Sequence, residues 1–355
     1  MKDEVQLPPS DADHVCTLIS KESLMFSCTR RALISIVGAA PATLGLTLPL
    51  AAFAQQAWPT RSIKLVVPQA PGSGSDVISR ILGDQLPQYL KQSIVIENNP
   101  AANGLVAMGA IAKAPPDGYT FIMAGVSTMA FNPALYKDLP YNPAKDFTYV
   151  APVVDTPFVL LTSNRSGIKT LAQFIEQART KPGGLSYSSA GLGNSTHIAI
   201  EMIASIAGVK LLHVPYKGSA GALTAVLSGE VDAMASAVAS ALPHVQTGRA
   251  NAVAVLSNTR VPQWPQVPTI KEAGLNAPDM PGWYAIVGPA GLNPSVVATF
   301  NVAMQQVMSD PGVRAKLLEL SLQPIAGGEP EIRRRAASDL AVWSEFIRKN
   351  NIRIE

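Results

Sequence analysis

This chain carries few of the side chains that do chemistry. Among 355 residues there are two cysteines and four histidines, and charged residues make up only 15%. Cys16 and Cys28 both fall in the first 54 residues, which read as an export segment, so a processed chain has no thiol, disulfide or cysteine metal site. His197, His213 and His244 remain, none spaced with another histidine or an acid as a metal pair, and His-Glu-x-x-His is absent. No Gly-x-Ser-x-Gly elbow occurs, and Gly72-Ser-Gly-Ser lacks the Gly-Lys-Ser/Thr of a phosphate loop. As half a dinucleotide fingerprint it fails too, because Val77 stands where the third glycine belongs. The sequence therefore predicts no catalytic residue, metal or cofactor. Basic runs are also short. The densest, Arg333-Arg334-Arg335, reads as a solvated helix face, so no nucleic-acid partner is expected.

One long apolar run exists, from Ala32 to Ala52, and nothing like it recurs downstream. It contains Gly and Pro and follows Arg30-Arg31, so it reads as a signal peptide and not an anchor. Ala52-Phe-Ala54 is a small-x-small site, with cleavage expected after Ala54. Thr29-Arg-Arg-Ala-Leu-Ile34 fits twin-arginine export as well as the general route. The acidic stretch before Met25 is unlike a signal n-region, which points to Met25 as the start. The processed chain keeps 24 of 28 Lys and Arg and 20 of 25 Asp and Glu, a net charge near +4. Its length suits two domains around separate cores.

Short β-branched runs alternate with helical stretches, the mark of βαβ units and open, mostly parallel sheets. Strands are expected at Ile63–Val67, Ile94–Glu97, Thr120–Ala124, Tyr149–Val154, Phe158–Thr162, Leu185–Ser188, Leu211–Val214, Ala233–Ala235, Ala252–Leu256 and Trp283–Val287. Breaks at Asp155-Thr-Pro157 and Asn276–Gly282 divide the chain into a discontinuous lobe, 55–157 plus 278–355, and an inserted lobe, 158–277. Their cleft would gather loops from the carboxyl ends of strands, where open α/β sheets bind ligands.

The most informative of those loops follows Ile63–Val67. Pro68-Gln-Ala-Pro-Gly-Ser-Gly-Ser-Asp76 empties a strand into a helix expected to open at Asp76. Free N–H groups and the positive end of a helix dipole make such a turn a seat for a carboxylate or phosphate. A second loop, Ser188 to His197, does the same with Asn194, Ser195 or Thr196 as N-cap; capping alone, at about 1 kcal/mol, would also explain those residues. Ser127 and Thr128 offer hydroxyls after a third strand, where an ordinary turn would serve equally, and Lys217 ends a fourth. An anion-binding cleft without catalytic groups reads as a receptor. A secreted α/β enzyme is the other class, with His197 or Asp76 its available titratable groups, and His197 more simply a satisfied side chain.

Ordered motifs sharpen this reading. Val66-Val-Pro-Gln-Ala-Pro-Gly-Ser-Gly-Ser-Asp76, Glu97-Asn-Asn-Pro-Ala-Ala-Asn-Gly104, Pro116-Asp-Gly-Tyr-Thr120, Gly191-Leu-Gly-Asn-Ser-Thr-His197, Val214-Pro-Tyr-Lys-Gly218, Gly229-Glu-Val-Asp232 and Leu242-Pro-His-Val245 occur in sequence, followed by the Trp343–Ile354 segment. Together they resemble the substrate-binding receptors of tripartite tricarboxylate transporters, the Bug receptors, over the whole processed chain. The resemblance implies an α/β, two-lobed periplasmic binding protein of type II, a Venus flytrap, each lobe a mostly parallel sheet flanked by helices. It further implies a monomer in the periplasm, delivering a small carboxylate to two integral-membrane subunits. A ligand sensor serving a signalling kinase is the other binding role. Family receptors hold the carboxylate with backbone amides and ordered waters. Carried over by position, that seat is Gln69, Ala70, Gly72, Ser73, Gly74, Ser75 and Asp76, facing Gly191, Gly193, Asn194, Ser195, Thr196 and His197, with Ser127 and Thr128 alongside. Two departures stand out: Ser73 and Ser75 interrupt the glycines of the first loop, and Ser236 stands where many members carry an acid. Without that acid an amino-acid ligand is disfavoured, leaving mono- or dicarboxylates, aromatic acids included.

Overall fold

A computed structural model describes residues 58–280 and 282–354. The signal peptide, its cleavage site, both cysteines and Met25 lie outside these residues. Eleven strands and eleven helices are formed among the described residues: β1 Ile63–Val67, α1 Gly74–Gln85, α2 Pro87–Leu90, β2 Ile94–Asn98, α3 Leu105–Ala112, β3 Thr120–Gly125, α4 Asn132–Leu135, β4 Phe147–Asp155, β5 Phe158–Ser163, α5 Leu171–Thr180, β6 Ser186–Ser189, α6 Ser195–Ala207, β7 Leu212–Pro215, α7 Ser219–Ser228, β8 Ala233–Ala237, α8 Val238–Gln246, β9 Ala250–Val255, β10 Trp283–Pro289, α9 Pro294–Ser309, α10 Pro311–Glu319, β11 Gln323–Pro324 and α11 Glu329–Lys349. None of these helices is long and apolar enough to cross a membrane.

The strands form two sheets, in the orders β11-β4-β10-β3-β1-β2 and β7-β6-β8-β5-β9. Both are mixed, which corrects the mostly parallel expectation. β1 pairs parallel with β2 and β3, and β6 with β7 and β8, whereas β10 runs antiparallel to β3 and β4, and β5 to β8 and β9. The cause is the chain's path. It leaves the first sheet after Asp155, enters the second at Phe158, and returns at Trp283, so β10 slots between β4 and β3 from the opposite direction. The two crossings touch, where the Thr156 N–H donates to the Gly282 carbonyl over 2.6 Å.

Burial explains why these runs are strands. Ile63, Leu65, Val66 and Val67 are all buried on β1, a strand apolar but for the exposed Lys64. Ile78, Ile81 and Leu82 of α1 pack beneath it with Phe121, Phe300 and Met304. The second sheet is sealed by Ala222, Leu223 and Val226 of α7 and Val238, Ala241 and Leu242 of α8. α11 lays Ile332, Ala336, Trp343 and Ile347 on a third group, with Trp343 edge-on to Phe131 at 5.1 Å between ring centres. Its end is pinned to α6 by a 2.6 Å bond from the Ser205 hydroxyl to Asn350. Four turns leave the carboxyl ends of β1, β3, β6 and β7, and their residues converge around shared cavities.

Candidate functional site

The helix after β1 opens at Gly74, two residues earlier than Asp76. Ser73 is its N-cap, with its hydroxyl accepting from the Asp76 N–H. Gly72 takes φ +78°, the left-handed region that favours glycine. Asp76 does not face the cleft. Its buried carboxylate accepts from the Gly72 N–H at 2.9 Å, from Asn98 Nδ2 at 2.9 Å and from Arg80 Nε at 3.0 Å. Burial alone would raise its pKa; the Arg80, Gly72 and Asn98 bonds together outweigh that and hold it below the usual carboxylate range. Asp76 thus staples the turn into shape. Gly74 and Ser75, at the first helical positions, keep N–H groups with no acceptor in the helix. The Ser75 hydroxyl donates to Gln69 Oε1 over 2.6 Å, fixing Gln69 across the turn's mouth.

The turn after β6 is organised differently. Asn194 is the N-cap of α6 and accepts from the Thr196 N–H, while Thr196 Oγ1 accepts from the Ala190 N–H at 2.8 Å. Gly193 donates its N–H to His197 Nδ1 at 3.2 Å, and Gly191 donates to Ser189 Oγ. His197 stacks on His213 with 4.2 Å between ring centres, His213 stacks on Tyr187 at 4.7 Å, and Ser189 Oγ meets His213 Nε2 at 2.7 Å. Burial pushes His197 down to about 3 and His213 down to about 4, so both rings are neutral at pH 7. These histidines are buttresses beneath the loop. His197 and Thr196 line neither cavity described below.

The two sides are in contact. Ser127 Oγ accepts from the Ser195 N–H at 3.0 Å and lies 2.5 Å from Ser195 Oγ. Asn194 Nδ2 donates to Asn103 Oδ1 at 3.3 Å, and Asn103 Nδ2 in turn donates to Asn132 Oδ1 at 2.8 Å. Thr128 closes its own turn onto Gly125 through both the N–H and the carbonyl. Between these contacts lie two cavities. An inner one of about 20 Å³, room for one water, is ringed by Gln69, Ser127, Thr128, Ser195 and Tyr284. An outer one of about 570 Å³ is lined from the first sheet by Pro68, Gln69, Ala70, Ser73, Pro100 to Asn103 and Tyr136, and from the second by Ala190 to Leu192, Asn194 and Tyr216 to Ser219. Pro68 and Gln69 line both. That outer volume falls within the range of small-molecule sites.

Of the residues singled out in the sequence, Gln69, Ala70, Ser73, Ser127, Thr128, Gly191, Asn194 and Ser195 face these cavities. Gly72, Gly74, Ser75, Gly193 and Thr196 shape the turns behind them. Ser236 is buried on β8 with its hydroxyl donating to the Ala237 carbonyl, and lines neither. Asn103, Tyr136, Tyr216 and Tyr284 are lining residues the sequence did not single out. For Asn103 a signal existed: Ala102, Asn103 and Gly104 take φ of 49°, 51° and 82°, and an Asn-Gly pair is the usual mark of such a turn. Among the described residues no group of three or more His, Cys, Asp and Glu could hold a metal ion.

Comparison with known proteins decides the family. Residues 78–352 match the model of the "Tripartite tricarboxylate transporter family receptor". The chain belongs to this family. A UPF0065 protein from the tcbD–tcbE intergenic region of Pseudomonas sp. strain P51 is 36% identical over 277 residues, 78% of this chain and 82% of its own. The structure of R. palustris Rpa4515 with adipate shares 30% identity at a TM-score of 0.80, over 83% of this chain and 98% of that one. The periplasmic binding protein BugD is 26% identical at a TM-score of 0.79, over 83% and 99%. The chain is thus a Bug-type member of a solute-binding family with the two-lobed α/β fold of periplasmic binding proteins. Its structural neighbours are binding proteins, which supports a role other than catalysis.

Proposed function

We propose that this protein is a periplasmic receptor that captures a small mono- or dicarboxylate between two lobes and delivers it to the two membrane subunits of a tripartite transporter. The lobes are 55–157 with 278–355, and 158–277, hinged at the paired crossings. The observation that carries this reading is the outer cavity, walled by turns from the carboxyl ends of β1, β6 and β7 and entered by the amino end of α1. The ligand carboxylate takes the unbonded amides of Gly74 and Ser75 and the hydroxyls of Ser73 and Ser127, with Gln69, Ala70, Gly191, Asn194 and Ser195 closing over it. Thr128 and Gly193, already bonded to Gly125 and His197, brace the turns. Asp76, Thr196 and His197 hold the two turns in shape. Hydrogen bonds to a charged acceptor contribute roughly 1.5–3 kcal/mol each, so a few amides suffice for micromolar affinity without an arginine. Closure follows ligand because both sides touch it, and a ligand shifts an equilibrium only through its preference for one state.

A thermal-shift screen of the processed chain against organic acids tests this. An acid at a hundred times its Kd adds about 2.7 kcal/mol, a rise of roughly 4 °C for a chain of this length. A set of acids that raise the midpoint and are recovered unchanged is the expected result. An acid consumed on incubation, or no acid giving a shift from a ligand-free preparation, overturns the reading.

A further inference from the structure

Resting on the receptor reading, we infer that the acid this site takes has an apolar body of about six carbons or more, in preference to a short hydroxy, keto or amino acid. The two cavities differ in chemistry. The inner one, with room for a single water, sets the Gln69 amide and the hydroxyls of Ser127, Ser195 and Tyr284 beside Met123, Val126, Phe158 and Trp283, so its polar groups are packed into a small space. The outer one is more than twentyfold larger, and most of its free surface is methyl and ring, from Ala70, Ala101, Ala102, Leu192, Tyr136 and Tyr216.

Most of its polar side chains are already engaged; the Tyr136 and Ser219 hydroxyls and the Lys217 amine are the ones that make no hydrogen bond among the described residues. Asn103 and Asn194 bond to each other, Asn103 also to Asn132, and Asn194 caps α6. Gln69 is held by Ser75, and Ser73 caps α1. Tyr216 turns its hydroxyl to Glu230 Oε1 at 2.7 Å, which leaves its ring for the cavity. No acid is among the described lining residues, so a ligand amine has no counter-charge; Lys217 is the one cation. A second, terminal carboxylate is therefore compatible with the site, whereas a mid-chain amine is not, and a mid-chain hydroxyl finds a partner only near Tyr136 or Ser219. Each polar group buried there without a partner lowers affinity about tenfold.

Leu192 carries the argument furthest. It sits at the tip of the β6–α6 turn, 44% exposed, a large aliphatic side chain on the wall of a ligand cavity. Covering it with a ligand's apolar body removes both surfaces from water. Each methylene so packed adds about fourfold in affinity.

Calorimetric titration of the ligand-free processed chain with butanoate, hexanoate and octanoate, then benzoate and malate, reads this directly. Affinity is expected to rise about fourfold per methylene along the alkanoates, with benzoate or octanoate at least tenfold tighter than malate. Leu192→Asn is expected to flatten that rise and cost octanoate about tenfold; its exposed loop position leaves the fold intact, checked by the thermal midpoint. Malate tighter than every apolar acid, or a flat alkanoate series, overturns the assignment of substrate class while the receptor reading stands. An unchanged slope in Leu192→Asn overturns the assigned wall. Binding of none of these acids overturns the class and the receptor reading together.

Discussion

Replacing Asp76 with alanine separates a residue that builds the site from one that touches ligand. Its carboxylate is buried and accepts three hydrogen bonds, from Gly72, Asn98 and Arg80, tying the β1–α1 turn to the end of β2. Bonds to a charged group contribute roughly 1.5–3 kcal/mol each, but Arg80 is half exposed and re-solvates freely, so its share is small. The Gly72 N–H and Asn98 amide then dominate, for a net loss of about 3 kcal/mol. For roughly 300 ordered residues the unfolding entropy is about 0.6 kcal/mol per degree, so the midpoint should fall by about 5 °C. Differential scanning calorimetry of ligand-free protein measures it. Acid affinity should fall as well, because Gly74 and Ser75 lose their fixed positions. Affinity lost with an unchanged ligand-free midpoint would refute this reasoning, and would make Asp76 a direct ligand contact.

Three further outcomes follow from the same geometry. Ser195→Ala removes a hydroxyl that meets Ser127 across the cleft, and should weaken acid binding several-fold in calorimetry with the ligand-free midpoint within about 2 °C; an unaltered affinity contradicts a role in closure. His197 is pushed down from its ordinary 6.5 to about 3 by burial and by the neighbouring His213, so the folded state resists its protonation and stability is lost as pH falls from 6.5 toward 3. The slope is about 1.4 kcal/mol per pH unit from this residue, and His197→Gln should unfold in denaturant with a correspondingly flatter dependence between pH 6 and 4. Gly282→Ala places a methyl group against the Thr156 carbonyl, where the two crossings touch; strong destabilisation or lost binding is expected, and a wild-type melting curve with wild-type affinity contradicts the tight crossing.

Elements with a strong local signal were legible in the sequence. The mostly apolar β1, the glycine- and serine-rich turn after it and the Asn-Ser-Thr start of α6 stand within a residue or two of their expected places. α10 was not expected, because only Val313 and Leu317 of its nine residues are buried and no apolar stripe announces it. The direction of β10 was not legible either, since strand polarity depends on where the chain returns and not on which residues it contains. The same limit governs the site. The β1 and β6 turns take their shape from local backbone, which the residue types betray, whereas Tyr136, Tyr216 and Tyr284 reach the cavities only through packing of elements distant in the chain. Ser236 shows the converse: a position chosen by resemblance whose side chain is turned back onto its own strand.

The most direct test of the central claim is a crystal structure of the processed chain with its tightest-binding acid. The account predicts a carboxylate within hydrogen-bonding distance of the Gly74 and Ser75 amides, with Ser127 and Ser195 closed over it and the body of the acid against Leu192. An acid seated away from the β1–α1 turn, or bound with the two sheets' loops apart, would contradict it.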